Sequence, residues 1–87
     1  MKIEFDQKFS KKLVKLCLKD RKLGQKIDKK ILLFRVQPTY PGLRLHKLGG
    51  KNRDYWSLTV EENLKIIFCF TEAGILLTDI GSHDEVY

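Results

Sequence analysis

Leu64-Lys65-Ile66-Ile67-Phe68-Cys69-Phe70 is the most apolar run of the chain. It is rich in β-branched and aromatic residues and too short for a self-standing helix, so it reads as a central strand buried over most of its surface. A strand sends successive side chains to opposite faces. With Leu64, Ile66, Phe68 and Phe70 turned to the core, Lys65 points out of the other face beside Ile67 and Cys69. A cation in so dry a strand makes that second face the place to look for function.

On the C-terminal side, Thr71-Glu72-Ala73-Gly74 is a turn into a strand from Ile75 to Ile80. On the N-terminal side, Glu61-Glu62-Asn63 is a tight turn out of Tyr55-Trp56-Ser57-Leu58-Thr59-Val60. That strand keeps Trp56, Leu58 and Val60 on one face, so Trp56 belongs to the core. Before it, Gly49-Gly50-Lys51-Asn52-Arg53-Asp54 is a polar turn, and Leu43-Arg44-Leu45-His46-Lys47-Leu48 alternates as a further strand. Leu43 and Leu45 are then packed, Arg44 and His46 face outward, and Leu48 packs only if the strand bends.

Gln37-Pro38-Thr39-Tyr40-Pro41-Gly42 is a loop, since two prolines and a glycine cannot continue a helix. The periodicity ahead of it is helical. Asp6 caps a first helix with Phe9, Leu13, Leu16 and Cys17 on one face and Lys8, Lys11, Lys12, Lys15 and Lys19 on the other. Asp20 caps a second, striped by Leu23, Ile27, Ile31 and Phe34. Lys2-Ile3-Glu4-Phe5 alternates as a short first strand. The fold class is therefore α+β in a single domain, residues 1–87: an N-terminal strand, an antiparallel two-helix hairpin, then an antiparallel strand meander with the helices on one face.

The 87 residues allow one modest core, and no segment approaches the roughly 20 apolar residues of a membrane span. Met1-Lys2-Ile3-Glu4-Phe5-Asp6 is too acidic for a signal peptide, which places the expected chain in the cytoplasm. Cys17 and Cys69, far apart and outside any CxxC pair, read as reduced core cysteines. The net charge of +6 is lopsided: 12 basic and 4 acidic residues fall up to Arg35, against 5 and 7 beyond it. Such a surface suits a polyanion, nucleic acid above all, and is met equally well by lysines that solvate two helices.

The chain closes on Gly81-Ser82-His83-Asp84-Glu85-Val86-Tyr87, with one of its two histidines and a terminal aromatic. Histidine both takes and gives a proton near neutrality, which makes His46 and His83 candidates for acid–base work. A polar tail is also the ordinary frayed end of a domain.

The order strand, two helices, Pro/Gly loop and meander, with Gly42-Leu43-Arg44-Leu45-His46-Lys47-Leu48, Tyr55-Trp56-Ser57, Leu64-Lys65-Ile66-Ile67-Phe68 and Asp79-Ile80-Gly81-Ser82-His83-Asp84-Glu85-Val86-Tyr87, resembles the RelE/ParE superfamily of type II toxin–antitoxin toxins. The likeness spans nearly the whole chain and is nearest to the YoeB-like and YafQ-like branches. It implies an endoribonuclease, an mRNA interferase, that enters the ribosomal A site, contacts ribosomal RNA and cuts the exposed message. The family chemistry uses no metal and no cofactor. A base activates the ribose 2′-OH, a cation stabilises the charged phosphorane, and an acid protonates the leaving 5′-oxygen. Carried onto this chain, His46 is the base, Lys65 the cation, His83 the acid, and Tyr87 the aromatic that stacks on a base or orients the phosphate.

Lys65 departs from the pattern, for many relatives carry arginine there, whose fork grips a phosphate with two parallel hydrogen bonds. Asn63 replaces an acid of some relatives and leaves Glu61 or Glu62 to substitute. Arg44, Lys47, Lys51 and Arg53 are expected phosphate contacts around the first hairpin. A cognate antitoxin is the expected protein partner, laying an acidic or amphipathic segment on the basic surface; no membrane is involved. Two other readings share the fold: a gyrase-inhibiting ParE-like toxin, against which the histidine tail argues, and a catalytically inactive binding module.

Overall fold

The computed structural model describes residues 2–87, the side chain of Asn52 excepted. In chain order it consists of β1 (Lys2–Phe5), α1 (Gln7–Lys19), α2 (Arg21–Val36), β2 (His46–Lys47), β3 (Tyr55–Glu61), β4 (Leu64–Thr71), β5 (Gly74–Gly81) and α3 (His83–Val86). Among the described residues no helix is long and apolar enough to cross a membrane.

Both helix starts follow from carboxylate caps. Asp6 Oδ1 accepts from the Phe9 amide at 2.8 Å, and Asp20 Oδ1 from the Leu23 amide at 3.1 Å, each occupying a first-turn donor that lacks a helical partner. Asp20 also ends α1, its own amide donating to Leu16 O at 2.9 Å, so a single residue joins the hairpin. The helices approach closely where Gly24 meets Cys17: a Cβ on Gly24 would stand 2.8 Å from the Cys17 sulfur.

The five strands form one sheet in the order β1-β5-β4-β3-β2. The meander β2 to β5 is antiparallel as expected, and β1 closes the sheet by pairing parallel to β5, Ile3 beside Ile75 and Phe5 beside Leu77. The helices cover one face. There Phe9, Ile27 and Phe34 pack with Leu58, Ile66, Phe68, Ile75 and Leu77 in a dry core, with Phe34 and Phe68 ring centroids 4.9 Å apart.

Three sequence readings need correction. The strand expected over Leu43–Leu48 shrinks to His46–Lys47, because Pro41-Gly42-Leu43 tightens into a 3-10 turn and Arg44 follows in the left-handed region at φ 49°. Leu43 is buried all the same, and Leu48 packs without a bend, on the face it shares by parity with His46. Phe70 stays on the helix-side face but is 59% exposed, since the sheet outruns the helices; its ring is set edge-on to Trp56 and Phe68. Lastly, β5 is irregular. Ile67 pairs with Asp79 but Phe68 with Leu77, so Thr78 is an extra residue, its hydroxyl donating to Ile67 O at 3.2 Å.

That bulge matters downstream. Leu77 and Ile80 both reach the core, and the two residues between them, Thr78 and Asp79, both border the groove on the opposite face. It also sets Gly81 opposite Lys65, which launches the C-terminal segment over the lysine.

Candidate active site

The face of the sheet turned away from the helices carries short polar side chains in β3. Ser57 and Thr59 are buried there, Ser57 directly across from His46 and Thr59 directly across from Lys65. Thr59 Oγ1 accepts from Lys65 Nζ at 3.0 Å, which fixes the ammonium on its strand. Among the described residues no carboxylate lies within 4 Å of that ammonium, so its charge is available to an anion.

The C-terminal segment is ordered by its own capping box. Ser82 Oγ accepts from the Glu85 amide at 3.3 Å while Glu85 Oε1 accepts from the Ser82 amide at 2.8 Å. These bonds from Ser82 hold the Glu85 carboxyl below the usual carboxylate range. The Ser82-His83-Asp84-Glu85 spacing is the signal that distinguishes a helical turn from a frayed tail. One turn of helix then brings His83 and Tyr87 together, ring centroids 4.1 Å apart, and the Tyr87 hydroxyl donates to Ser57 Oγ at 2.6 Å, tying the chain end to the sheet.

These elements bound a cleft of about 460 Å³ lined by Arg44, Leu45, His46, Ser57, Thr59, Lys65, His83 and Tyr87. An adjoining recess is bordered by His46, Leu48, Gly49, His83 and Tyr87. His46, Lys65, His83 and Tyr87, distant in sequence, thus meet at one hollow, and Arg44 joins them through its left-handed turn. Asp84 Oδ1 stands 3.6 Å from His83 Nδ1, near enough to pair with a protonated ring.

The other basic candidates lie elsewhere. Lys47 pairs across from Trp56 and so takes the opposite face from His46; Lys51 and Arg53 are exposed in the turn before β3 and do not line the cleft. Glu61 bonds Lys26 at 3.1 Å, and Glu61 and Glu62 border a neighbouring groove. No group of three or more metal-ligating side chains occurs among the described residues.

The sequence gives no sign of the supporting roles of Ser57 and Thr59 inside the cleft, or of Asp79 outside it. Asp79, placed by the bulge, accepts from Lys12 Nζ at 2.6 Å and from the Ile80 amide at 2.8 Å, with Lys8 Nζ at 3.2 Å. Burial opposes its ionisation, but these donors outweigh burial and hold the carboxyl below its usual range. Lys8 and Lys12, read as an outer solvated face, are here α1's attachment to the strand that leads into α3. Both cysteines are free and half-buried; burial, then Asp6 and Asp54, raise the Cys69 thiol.

No protein-family model matches the sequence, and no match was found among curated proteins. Solved structures do match. YafQ from Escherichia coli BL21(DE3) is 24% identical, with 99% of this chain and 97% of that chain covered at a TM-score of 0.80. The chain matched in the E. coli DinJ–YafQ toxin–antitoxin complex is 25% identical, with coverages of 99% and 96% and a TM-score of 0.78. A YoeB/ParE toxin from Agrobacterium tumefaciens is 16% identical, with coverages of 95% and 99% and a TM-score of 0.80.

Proposed function

We propose that this chain, which has the fold of the RelE/ParE toxins, is the toxin of a type II toxin–antitoxin pair and an endoribonuclease that cuts messenger RNA in the ribosomal A site. The observation that carries the reading is the meeting of His46, Lys65, His83 and Tyr87 at one open cleft with no carboxylate in its lining.

In this scheme His46 takes the proton of the ribose 2′-OH as that oxygen attacks the adjacent phosphorus. The bond from phosphorus to the 5′-oxygen breaks, and His83 delivers a proton to the departing oxygen. The products are a 2′,3′-cyclic phosphate and a 5′-hydroxyl, so every atom and proton is accounted for. Lys65, oriented by Thr59, neutralises the charge that builds on the non-bridging oxygens, where a fixed donor is worth most. Tyr87, pinned to Ser57, offers its ring face to a base beside His83. On the precedent of the DinJ–YafQ pair, the protein partner is a cognate antitoxin with an acidic or amphipathic segment suited to the basic surface.

The test is expression of the chain alone, with mapping of ribosome-bound message. Wild type is expected to cut message. His46→Ala and His83→Ala are each expected to lower the rate by about 10²-fold or more, the range of a lost general base or acid, with unfolding midpoints unchanged. Arrest with intact message and broken DNA would transfer the protein to the gyrase-inhibiting reading. A folded wild type that arrests nothing would leave only a binding module.

A further inference from the structure

A second groove, of about 370 Å³, adjoins the histidine cleft and shares Arg44 and Thr59 with it. Its remaining walls are Lys30 on α2, Gly42, and the end of β3 with Glu61 and Glu62. Lys30, like Arg44 and Lys65, has no carboxylate within ion-pairing distance among the described residues, and Glu61 is engaged by Lys26. Three cations that form no ion pair among the described residues therefore border two contiguous hollows, the second of which also carries the Glu61 and Glu62 carboxylates. Next to the groove's Gly42 is an aromatic that does not itself line the groove: the Tyr40 ring packs directly on Gly42, where even a methyl group would collide with it, and the residue is 44% exposed. Unpaired cations beside an exposed ring are the parts from which proteins build tracks for single-stranded nucleic acid.

We propose that the second groove is a binding subsite for RNA flanking the cut. A single strand whose scissile phosphate lies against Lys65 continues past Arg44, with a neighbouring phosphate on Lys30 and a base stacked on Tyr40. The Glu61 and Glu62 carboxylates repel the phosphates, keep them on the Lys30 wall and face the N–H edges of the bases. The strained Arg44 backbone is the junction, its residue bordering both hollows. This subsite rests on the nuclease reading for its substrate class and adds where the rest of the strand goes.

The test uses the full chain and fluorescein-labelled 2′-O-methyl RNA, which binds without supplying a nucleophile, in lengths of two, four and six nucleotides. Affinity is expected to rise by about tenfold or more from two to six nucleotides, the size of one stacking or phosphate contact. Lys30→Gln and Tyr40→Leu are each expected to lose about tenfold on the hexanucleotide and nothing on the dinucleotide. Lys30→Gln should also reduce the salt dependence by about one ion, and Lys30→Arg should restore it. Affinity independent of length, or a hexanucleotide bound equally by both variants and wild type, overturns the subsite. The two proposals fail separately: length-dependent binding by a chain that cuts no message sinks the nuclease alone, and message cutting with length-independent binding sinks the groove alone.

Discussion

The two faces of the sheet are written in the same strands and obey different rules. On the helix side, Leu58, Ile66, Phe68 and Leu77 are fully buried against Phe9, Ile27 and Phe34, and contacts between apolar groups are shared by many neighbours. On the other side the covering is one turn of helix and Leu48. The polar groups there satisfy one another in pairs, Thr59 with Lys65 and Ser57 with Tyr87. Packing on the first face supplies most of the apolar core, and the second, where Ile67 and Leu48 are buried, has room to carry charge. The largest effect that would break this contrast is on stability. Phe68→Ala is expected to cost about 3–5 kcal/mol in denaturant unfolding, as for other buried aromatics, while Cys69→Ala, its neighbour on the second face, costs less than about 1.5 kcal/mol. Equal costs would mean that both faces are core.

Asp79 is where the two faces are joined, for its carboxylate ties α1 to the strand that leads into the cleft. Its folded-state ionisation is favoured, so the stability it contributes is present at neutral pH and is lost as pH falls through the usual carboxylate range and below it to the depressed folded value. Asp79→Asn is therefore expected to cost about 1–2 kcal/mol at neutral pH and progressively less in acid, read from urea midpoints across that range. A cost that does not vary with pH would assign the effect to hydrogen-bond geometry and not to charge.

What could be read from sequence follows the same division. Local rules reached the capped starts at Asp6 and Asp20, the two helical stripes, and the outward parity of Lys65, because each depends on residues within one turn or one strand. They failed where a backbone irregularity resets parity. The alternation over Leu43–Leu48 suggests a longer strand than forms, because Pro41-Gly42 tightens the chain into a turn just before it. The Thr78 bulge leaves a trace in sequence, for Ile75, Leu77 and Ile80 are spaced two and then three apart, a spacing no regular strand can bury on one side. For the candidate site, the residue types were legible in His46, Lys65, His83 and Tyr87, but their meeting was not. It depends on strand register and on that bulge, both set by contacts distant in sequence.

The smallest expected effect tests the last of these contacts. The Tyr87 hydroxyl donates to Ser57 at 2.6 Å, and it is the one hydrogen bond among the described residues that ties a side chain of α3 or the chain end to the sheet. A net intramolecular hydrogen bond of this kind is worth about 1 kcal/mol, and a terminal turn opens locally without unfolding the core. Tyr87→Phe keeps the ring beside His83 and removes only the tether. The unfolding midpoint is then expected to stay put, and message cutting to fall by no more than about fivefold, the rate equivalent of that bond. A loss of a hundredfold with the same midpoint would show that the hydroxyl takes part in proton transfer, since a ring merely held in place cannot lose more than the bond that held it. A lowered midpoint would instead make the C-terminal turn part of the cooperative core and erase the distinction between the two faces at this edge of the sheet.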